Sequence, residues 1–478
     1  MNENNLFPAS FLWGGSIAAH QCEGAYNQDD KGLSQMDLMT AGSYESRREI
    51  TTEIQPAKIY PSHTGIDHYH RYNEDIDLFH QMGFKALRIS IDWSRIFPNG
   101  DDEKPNQKGL EHYHKVIDAL IKAGIVPIIT LFHFELPLGI LKKYGTWNNR
   151  EVVDLFVRYA DLLIKEYKGK VKYWVTFNEF NRLEEGGGYQ DVTAYMLTGK
   201  KVSDFENPKQ DLAQVSWHFA LATALVKKHA KQIDPNNKVG AVFGVTPVYP
   251  LSSKPEDVLL AYQKTSEALY LLDLMSKGKI PAYKQVEFEK AGIQIQKQDG
   301  DDRLIQDNPI DFVGVNYYSS EVASSDPQQG DVSVFGNLPN PCLKQSDWGW
   351  AIDPVGLRYA LNLVYEKTGL PVIVTENGLG AVDVRDENGD VRDDYRIDYL
   401  AAHLSEIKKA ILIDGVDCFG YLMWGPIDLV SATTGEMKKR YGFIYVDKQD
   451  DGSGDYSRHP KKSFAWFKQV IQTQGETL

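Results

Sequence analysis

The chain has 478 residues, enough for a large buried core, with 42% hydrophobic and 25% charged residues, ordinary globular proportions. Its 66 acidic and 52 basic residues give a formal charge of −14. This argues against nucleic acid as the main partner, because backbone phosphates need a basic face, but not against a small anionic ligand, which needs only a local field.

Eight short apolar runs recur along the chain: FLWGGSIAA (11–19), ALRISIDW (86–93), VPIITLFH (126–133), YWVTFNE (173–179), VGAVFGV (239–245), FVGVNYY (312–318), PVIVTENG (371–378) and CFGYLMW (418–424). They are continuously apolar rather than alternating, which predicts strands buried on both faces. Helical patterns lie between them. In GLEHYHKVIDALIKAG (109–124), Val116 and Leu120 share a face and Gly124 ends the pattern. In DDYRIDYLAAHLSEIKKAILIDG, Leu400, Leu404, Ile407 and Ile411 fall at helical spacing. Asp393 or Asp394 is the expected cap there, and Gly415 the expected stop.

Alternating strand–helix units predict an α/β fold with the parallel sheet closed into a (β/α)8 barrel; an open doubly wound sheet is the alternative. Strand starts lie 40 to 75 residues apart, so the surplus length belongs in loops, mainly after strands 1, 4, 5 and 6. With no repeat, low-complexity tract or linker, residues 1–478 read as one catalytic domain with long βα loops.

Barrel enzymes place their chemistry at the carboxyl ends of the strands. Those ends carry Gln21, His133, Asn178, Glu179, Asn316, Tyr318, Glu376 and Trp424, all polar, titratable or aromatic. Glu179 in TFNEF and Glu376 in VTENG each end an apolar strand beside an Asn. Two carboxylates across a barrel mouth suit glycosidic bond cleavage. One must stay protonated to donate to the leaving oxygen; the other must stay ionised. Arg88, on the second strand, is a candidate to hold one of them charged.

FLWGGSIAAHQCEGA, RISIDWSRIFP, TLFHFELP, TFNEF, VGVNYY, VTENG and the segment from LMWGPIDLV onward together resemble glycoside hydrolase family 1 over essentially the whole chain. The resemblance implies retaining hydrolysis, with Glu179 as acid/base, Glu376 as nucleophile and carboxyl groups about 5–5.5 Å apart. It implies that Arg88 and Tyr318 contact the nucleophile. Gln21, His133, Asn178 and Asn316 match the sugar-binding set, Trp424 the platform under the ring and Trp350 an aromatic beside the leaving group. Phe180 departs from the Pro or Ile usual there, an expected change on the leaving-group side. GGG at 186–188 is expected to form a loop near the cleft.

SATTGEMKKRY (431–441) breaks the acidic trend. Where relatives acting on neutral sugars present a Glu and a Trp, this chain has Ser431 and Ala432, followed by Lys439 and Tyr441. The change removes an anion and supplies hydroxyls and an ammonium, which a sugar 6-phosphate needs. The segment after the eighth strand is also a frequent phosphate site in barrels. It resembles the 6-phospho-glycosidase branch, in which residues matching Ser431, Lys439 and Tyr441 hold the phosphate. Lys438 and Arg440 read as surface charges or contributors to the field. Ala432, in place of a Trp, favours gluco over galacto substrates.

The expected activity is 6-phospho-β-glucosidase. Alternatives are a 6-phospho-β-galactosidase, a β-glucosidase for neutral sugars and a non-catalytic sugar-phosphate binder. The expected partner is a phosphorylated β-glucoside, with a homo-oligomer left open. Cys22, Cys342 and Cys418 are odd in number and widely spaced, which fits a reducing compartment and no disulfide framework. The opening MNENNLFPASFLWGG shows no signal peptide, and no run reaches the ~18 apolar residues of a membrane span. A cytoplasmic location is therefore expected. His68/His70 and His112/His114 sit at a spacing that faces apart on a helix, and no phosphate-loop or dinucleotide motif is present. Neither metal nor cofactor is expected.

Overall fold

The computed structural model describes residues 6–184, 190–329 and 338–478. Eight parallel strands close into a barrel in which each neighbours the next in sequence and the last pairs with the first. They are β1 (Leu12–Ser16), β2 (Ala86–Ser90), β3 (Val126–Phe132), β4 (Tyr173–Asn178), β5 (Lys238–Gly244), β6 (Phe312–Asn316), β7 (Val372–Glu376) and β8 (Cys418–Trp424). All eight lie within the runs read as strands, to within a residue at their ends.

The strands read as uniformly apolar because both faces are covered. Ala86, Ile128, Val175, Val242, Phe312, Ile373 and Leu422 fill the barrel interior, and the outward faces meet the surrounding helices in a larger core. The helix Gln107–Lys122 shows the packing logic. It buries Leu110, Tyr113, Val116, Ile117 and Leu120 on one stripe, and Asn106 caps its start by accepting from the Lys108 N–H.

The helix Asp394–Leu412 starts where expected, but Asp393 does not cap it through its side chain. Its carboxylate instead accepts from the Ser463 N–H and hydroxyl, 70 residues on, and from Arg396. It thus satisfies a donor at the start of the last helix, Lys462–Gln472. A cap serving a different helix cannot be read from local spacing.

Register sets the floor of the cleft. Ser16 lies opposite Trp424, Ser90 opposite Thr130 and Asn316 opposite Glu376, all at carboxyl ends. Among the described residues no helix is long and apolar enough to cross a membrane. His68 pairs with Asp75 and His70 with Asp67, so the two rings serve separate partners.

Candidate active site

β7 delivers Glu376, 4% exposed, into the barrel mouth. From β2, Arg88 donates Nη1 to Glu376 Oε1 at 2.7 Å, Nη2 to Asn178 Oδ1 at 2.7 Å and Nε to Thr130 Oγ1 at 2.8 Å. The Tyr318 hydroxyl donates to Glu376 Oε2 at 2.7 Å. Both carboxylate oxygens therefore receive a strong donor, which favours the charged form. Burial works against it and pushes the Glu376 carboxyl up to about 7; Arg88 pulls it down, and the charge of Glu179 pushes it up.

Glu179 follows β4 directly in a left-handed backbone conformation, φ 45°. Such a conformation costs a residue with a side chain on the order of 1 kcal/mol. Its N–H still donates to the Val242 carbonyl of β5, so the chain turns only after the last sheet bond. Glu179 Oε1 accepts from Asn316 Nδ2 at 2.8 Å and Oε2 from Arg182 Nε at 2.7 Å. Asn316 Nδ2 also reaches Asn178 Oδ1 at 3.2 Å, and Thr375 Oγ1 donates to Asn316 Oδ1 at 2.7 Å. A continuous chain of bonds, Glu376–Arg88–Asn178–Asn316–Glu179, joins the two carboxylates. Asn178 Oδ1 accepts twice in it, which leaves the amide N–H groups as its available donors.

Gln21 donates Nε2 to the Val430 carbonyl at 2.6 Å, while its Oε1 is buried with no partner among the described residues. His133 likewise has a buried Nδ1 without a partner among the described residues, and its Nε2 lies 4.0 Å from Glu376 Oε1. Burial, then the charges of Arg88 and His20, hold the His133 imidazole well below its ordinary range. It is neutral and offers one donor and one acceptor. Its ring stacks near Trp424, centroids 5.8 Å apart at 27°. Buried polar atoms are nearly always paired, so orphans lining a cleft indicate a polar ligand such as a polyhydroxylated ring.

Ser431, Lys439 and Tyr441 are all buried, and the Tyr441 ring lies 6.5 Å from that of Tyr318, the donor to Glu376. Among the described residues the Lys439 ammonium forms no ion pair. It rests on ring faces instead, 3.9 Å from the Trp350 centroid, 5.3 Å from Trp348 and 5.8 Å from Tyr441. Burial pulls it down to about 7, and Glu436 opposes that shift. Burial also raises the Tyr441 phenol, which keeps it a neutral donor. Gly380, four residues past Glu376, allows this packing: a Cβ there would fall 2.8 Å from Lys439 Cε and 3.0 Å from Tyr441 Cζ.

Side-chain contacts join eleven of the thirteen candidate positions at the carboxyl ends, and Gln21 reaches the Val430 carbonyl beside Ser431, whereas two other readings need correction. Arg440 is no surface charge. It is 2% exposed, pairs with Asp428 at 3.0 Å, donates to the Val446 and Lys448 carbonyls and stacks on Tyr445. It locks the loop rather than facing solvent. Lys438 is half exposed and pairs with Glu436 at 2.9 Å. Phe180 does not face the leaving-group side. It is fully buried against Phe177, Phe219 and Phe243, because the left-handed turn at Glu179 sends the next side chain into the core. Trp350 contacts Tyr318, centroids 5.3 Å apart, as well as Lys439. It therefore stands between Tyr318 and the Lys439 ammonium. GGG at 186–188 lies outside the described residues.

Several residues of the site escaped sequence reasoning. Arg182 stands one 3-10 turn after Glu179, a spacing that could have flagged it. Thr130 orients Arg88, and Trp348 donates Nε1 to Glu436 at 3.4 Å while flanking Lys439. Glu135 accepts from the His133 N–H and the Ser90 hydroxyl.

The sequence model of glycosyl hydrolase family 1 matches residues 3–476. The chain is 48% identical, over 98% of its length and 99% of the relative's, to the aryl-phospho-beta-D-glucosidase BglA of Bacillus subtilis (strain 168). It is 48% identical to a 6-phospho-beta-glucosidase of Clostridium longisporum, over 99% of this chain and 98% of that one. Among solved structures, the family 1 b-glucosidase from Thermotoga maritima superposes with a TM-score of 0.83 at 31% identity, covering 98% of each chain. Barrel, carboxylate pair and sequence agree: the chain is a glycosidase and belongs to glycosyl hydrolase family 1.

Proposed function

We propose that the protein is a retaining 6-phospho-β-glucosidase, its whole length forming one catalytic domain. The observation that carries this reading is the buried ammonium of Lys439, without an ion-pair partner among the described residues, on the ring faces of Trp350, Trp348 and Tyr441, the last of which neighbours Tyr318, the donor to Glu376. A buried cation is costly without an anion, and a phosphate dianion on the sugar supplies one. The relatives named as phospho-glucosidases support the same substrate class.

In the first step Glu376 attacks the anomeric carbon and Glu179 donates its proton to the departing oxygen. A glycosyl ester to Glu376 forms and the alcohol leaves. Glu179, now a carboxylate, takes a proton from water, which attacks the anomeric carbon and releases glucose 6-phosphate and Glu376. Asn178, whose amide N–H groups have no partner among the described residues, suits the 2-hydroxyl; Gln21 and His133 suit other ring hydroxyls; Trp424 underlies the ring and Trp350 borders it. Ala432, small where galacto-type relatives tend to place a Trp, is in keeping with the gluco epimer. Sugars phosphorylated on uptake would meet the enzyme in the cytoplasm.

Initial rates on aryl β-glucoside, its 6-phosphate and aryl β-galactoside 6-phosphate test the reading. The glucoside 6-phosphate is expected to exceed the other two by at least ~100-fold, about 2.7 kcal/mol in transition-state binding. A neutral glucoside as best substrate would sink it.

The pH profile carries a further expectation. Glu376 must be ionised to attack, so kcat/KM should fall as pH drops through about 7. Lys439 must be charged to hold the phosphate, and its own value near 7 means the charge is lost as pH rises. The ratio of kcat/KM on phosphorylated to neutral glucoside should therefore decline above pH ~7. A ratio flat from pH 6 to 9 would contradict it.

A further inference from the structure

Six arginines are buried among the described residues: Arg48, Arg88, Arg95, Arg396, Arg440 and Arg458. Five have a carboxylate partner, respectively Glu376, Glu23, Asp383 with Asp393, Asp428 and Asp75 for the last five. Arg48 has none among the described residues. Its guanidinium donates Nε to the Thr40 carbonyl at 2.8 Å, Nη2 to Met39 at 2.9 Å and Nη1 to Ala432 at 2.6 Å. All three acceptors are neutral. A buried guanidinium satisfied in hydrogen bonds but not in charge leaves a positive field in its surroundings.

Those surroundings are the back of the anion-binding turn. Ala432 follows Ser431. The Ser431 carbonyl accepts from the Gly435 N–H at 2.8 Å and closes the turn. Gly435 has φ 74°, and a Cβ there would sit 3.3 Å from Arg48 Nε. Arg48 therefore lies against the turn that presents Ser431. Glu436, the acid nearest by sequence, is already paired with Lys438. At this turn Arg48 and Lys439 have no carboxylate partner of their own among the described residues.

We infer that Arg48 is a positioning and specificity-determining residue for the substrate phosphate, holding the Ser431 turn through the Ala432 carbonyl and adding a second positive charge to the corner. The inference rests on the phosphate reading above. Two cations match the charge of a phosphate dianion, and a neutral glucoside gains nothing from the second. Burial pulls the Arg48 guanidinium down to about 10, which leaves it charged at neutral pH.

The test measures kcat and KM on aryl β-glucoside 6-phosphate and on the neutral glucoside for the wild type, R48Q, R48K and T40D. R48Q removes the charge and keeps an amide donor. T40D puts a carboxylate on the residue whose carbonyl Arg48 already holds, so it brings a negative charge close to the guanidinium without removing that side chain. In R48Q and T40D the phosphorylated-to-neutral ratio of kcat/KM should fall at least ~10-fold, mostly through KM, and in R48K it should recover most of the loss. Thermal melting identifies a variant that fails to fold, and T40D then decides alone. An unchanged ratio in T40D, or loss in equal proportion on both substrates, overturns the role of Arg48. A wild-type ratio near one overturns the phosphate reading itself, so the two failures are distinguishable.

Discussion

Glu376→Ala is expected to lower kcat by at least ~10⁴-fold on an aryl β-glucoside 6-phosphate, as removal of a covalent nucleophile does elsewhere. Arg88 and Tyr318 both aim donors at this carboxylate, and neither can attack carbon in its place. The truncation opens a space on the α face of the sugar, and sodium azide should enter it. With a good leaving group the rescued product is the α-glycosyl azide, inverted relative to substrate. Glu179→Ala should behave oppositely: the glycosyl ester to Glu376 still forms, and azide then displaces it to give the β-azide. Product anomers are read directly by NMR. Activity that survives Glu376→Ala without azide, or a β-azide from that variant, would assign the nucleophile elsewhere.

Lys439→Ala should cost about 2–4 kcal/mol in kcat/KM on the phosphorylated substrate, the range for losing one partner of a buried charge contact. The change removes a cation already resting on Trp350 and Trp348. The free enzyme thereby sheds a desolvated charge and should not lose stability. Melting temperature and kinetics together separate the two effects. A loss of equal size on both substrates, or a marked fall in melting temperature, would make Lys439 a structural residue.

Much of this was legible in the sequence because barrels write their architecture locally. A strand buried on both faces is a continuous apolar run, and the residue that ends it faces the mouth; Glu179, Asn316, Glu376 and Trp424 were found this way. The loop proposed to hold the phosphate stood out because Ser431 and Ala432 replace the Glu and Trp of the neutral-sugar pattern, with Lys439 and Tyr441 following in the same short loop. What stayed hidden depends on contacts between distant segments. Arg48 reaches Ala432 across 384 positions, and Asp393 serves a helix 70 residues away. Arg440 looks like its neighbours Lys438 and Lys439, yet the three side chains go to the core, the surface and the cleft. Phe180 misled because one backbone dihedral at Glu179 decides which way the next residue points.

Gly380 ties two parts of the cleft together. Its bare Cα lets Lys439 and Tyr441 lean on the segment that emerges from Glu376. The group that would grip one end of the sugar and the group that would react with the other thus share a mount, like the jaws of a caliper. A side chain at that position would push the jaws apart, and the penalty would appear in turnover as well as affinity.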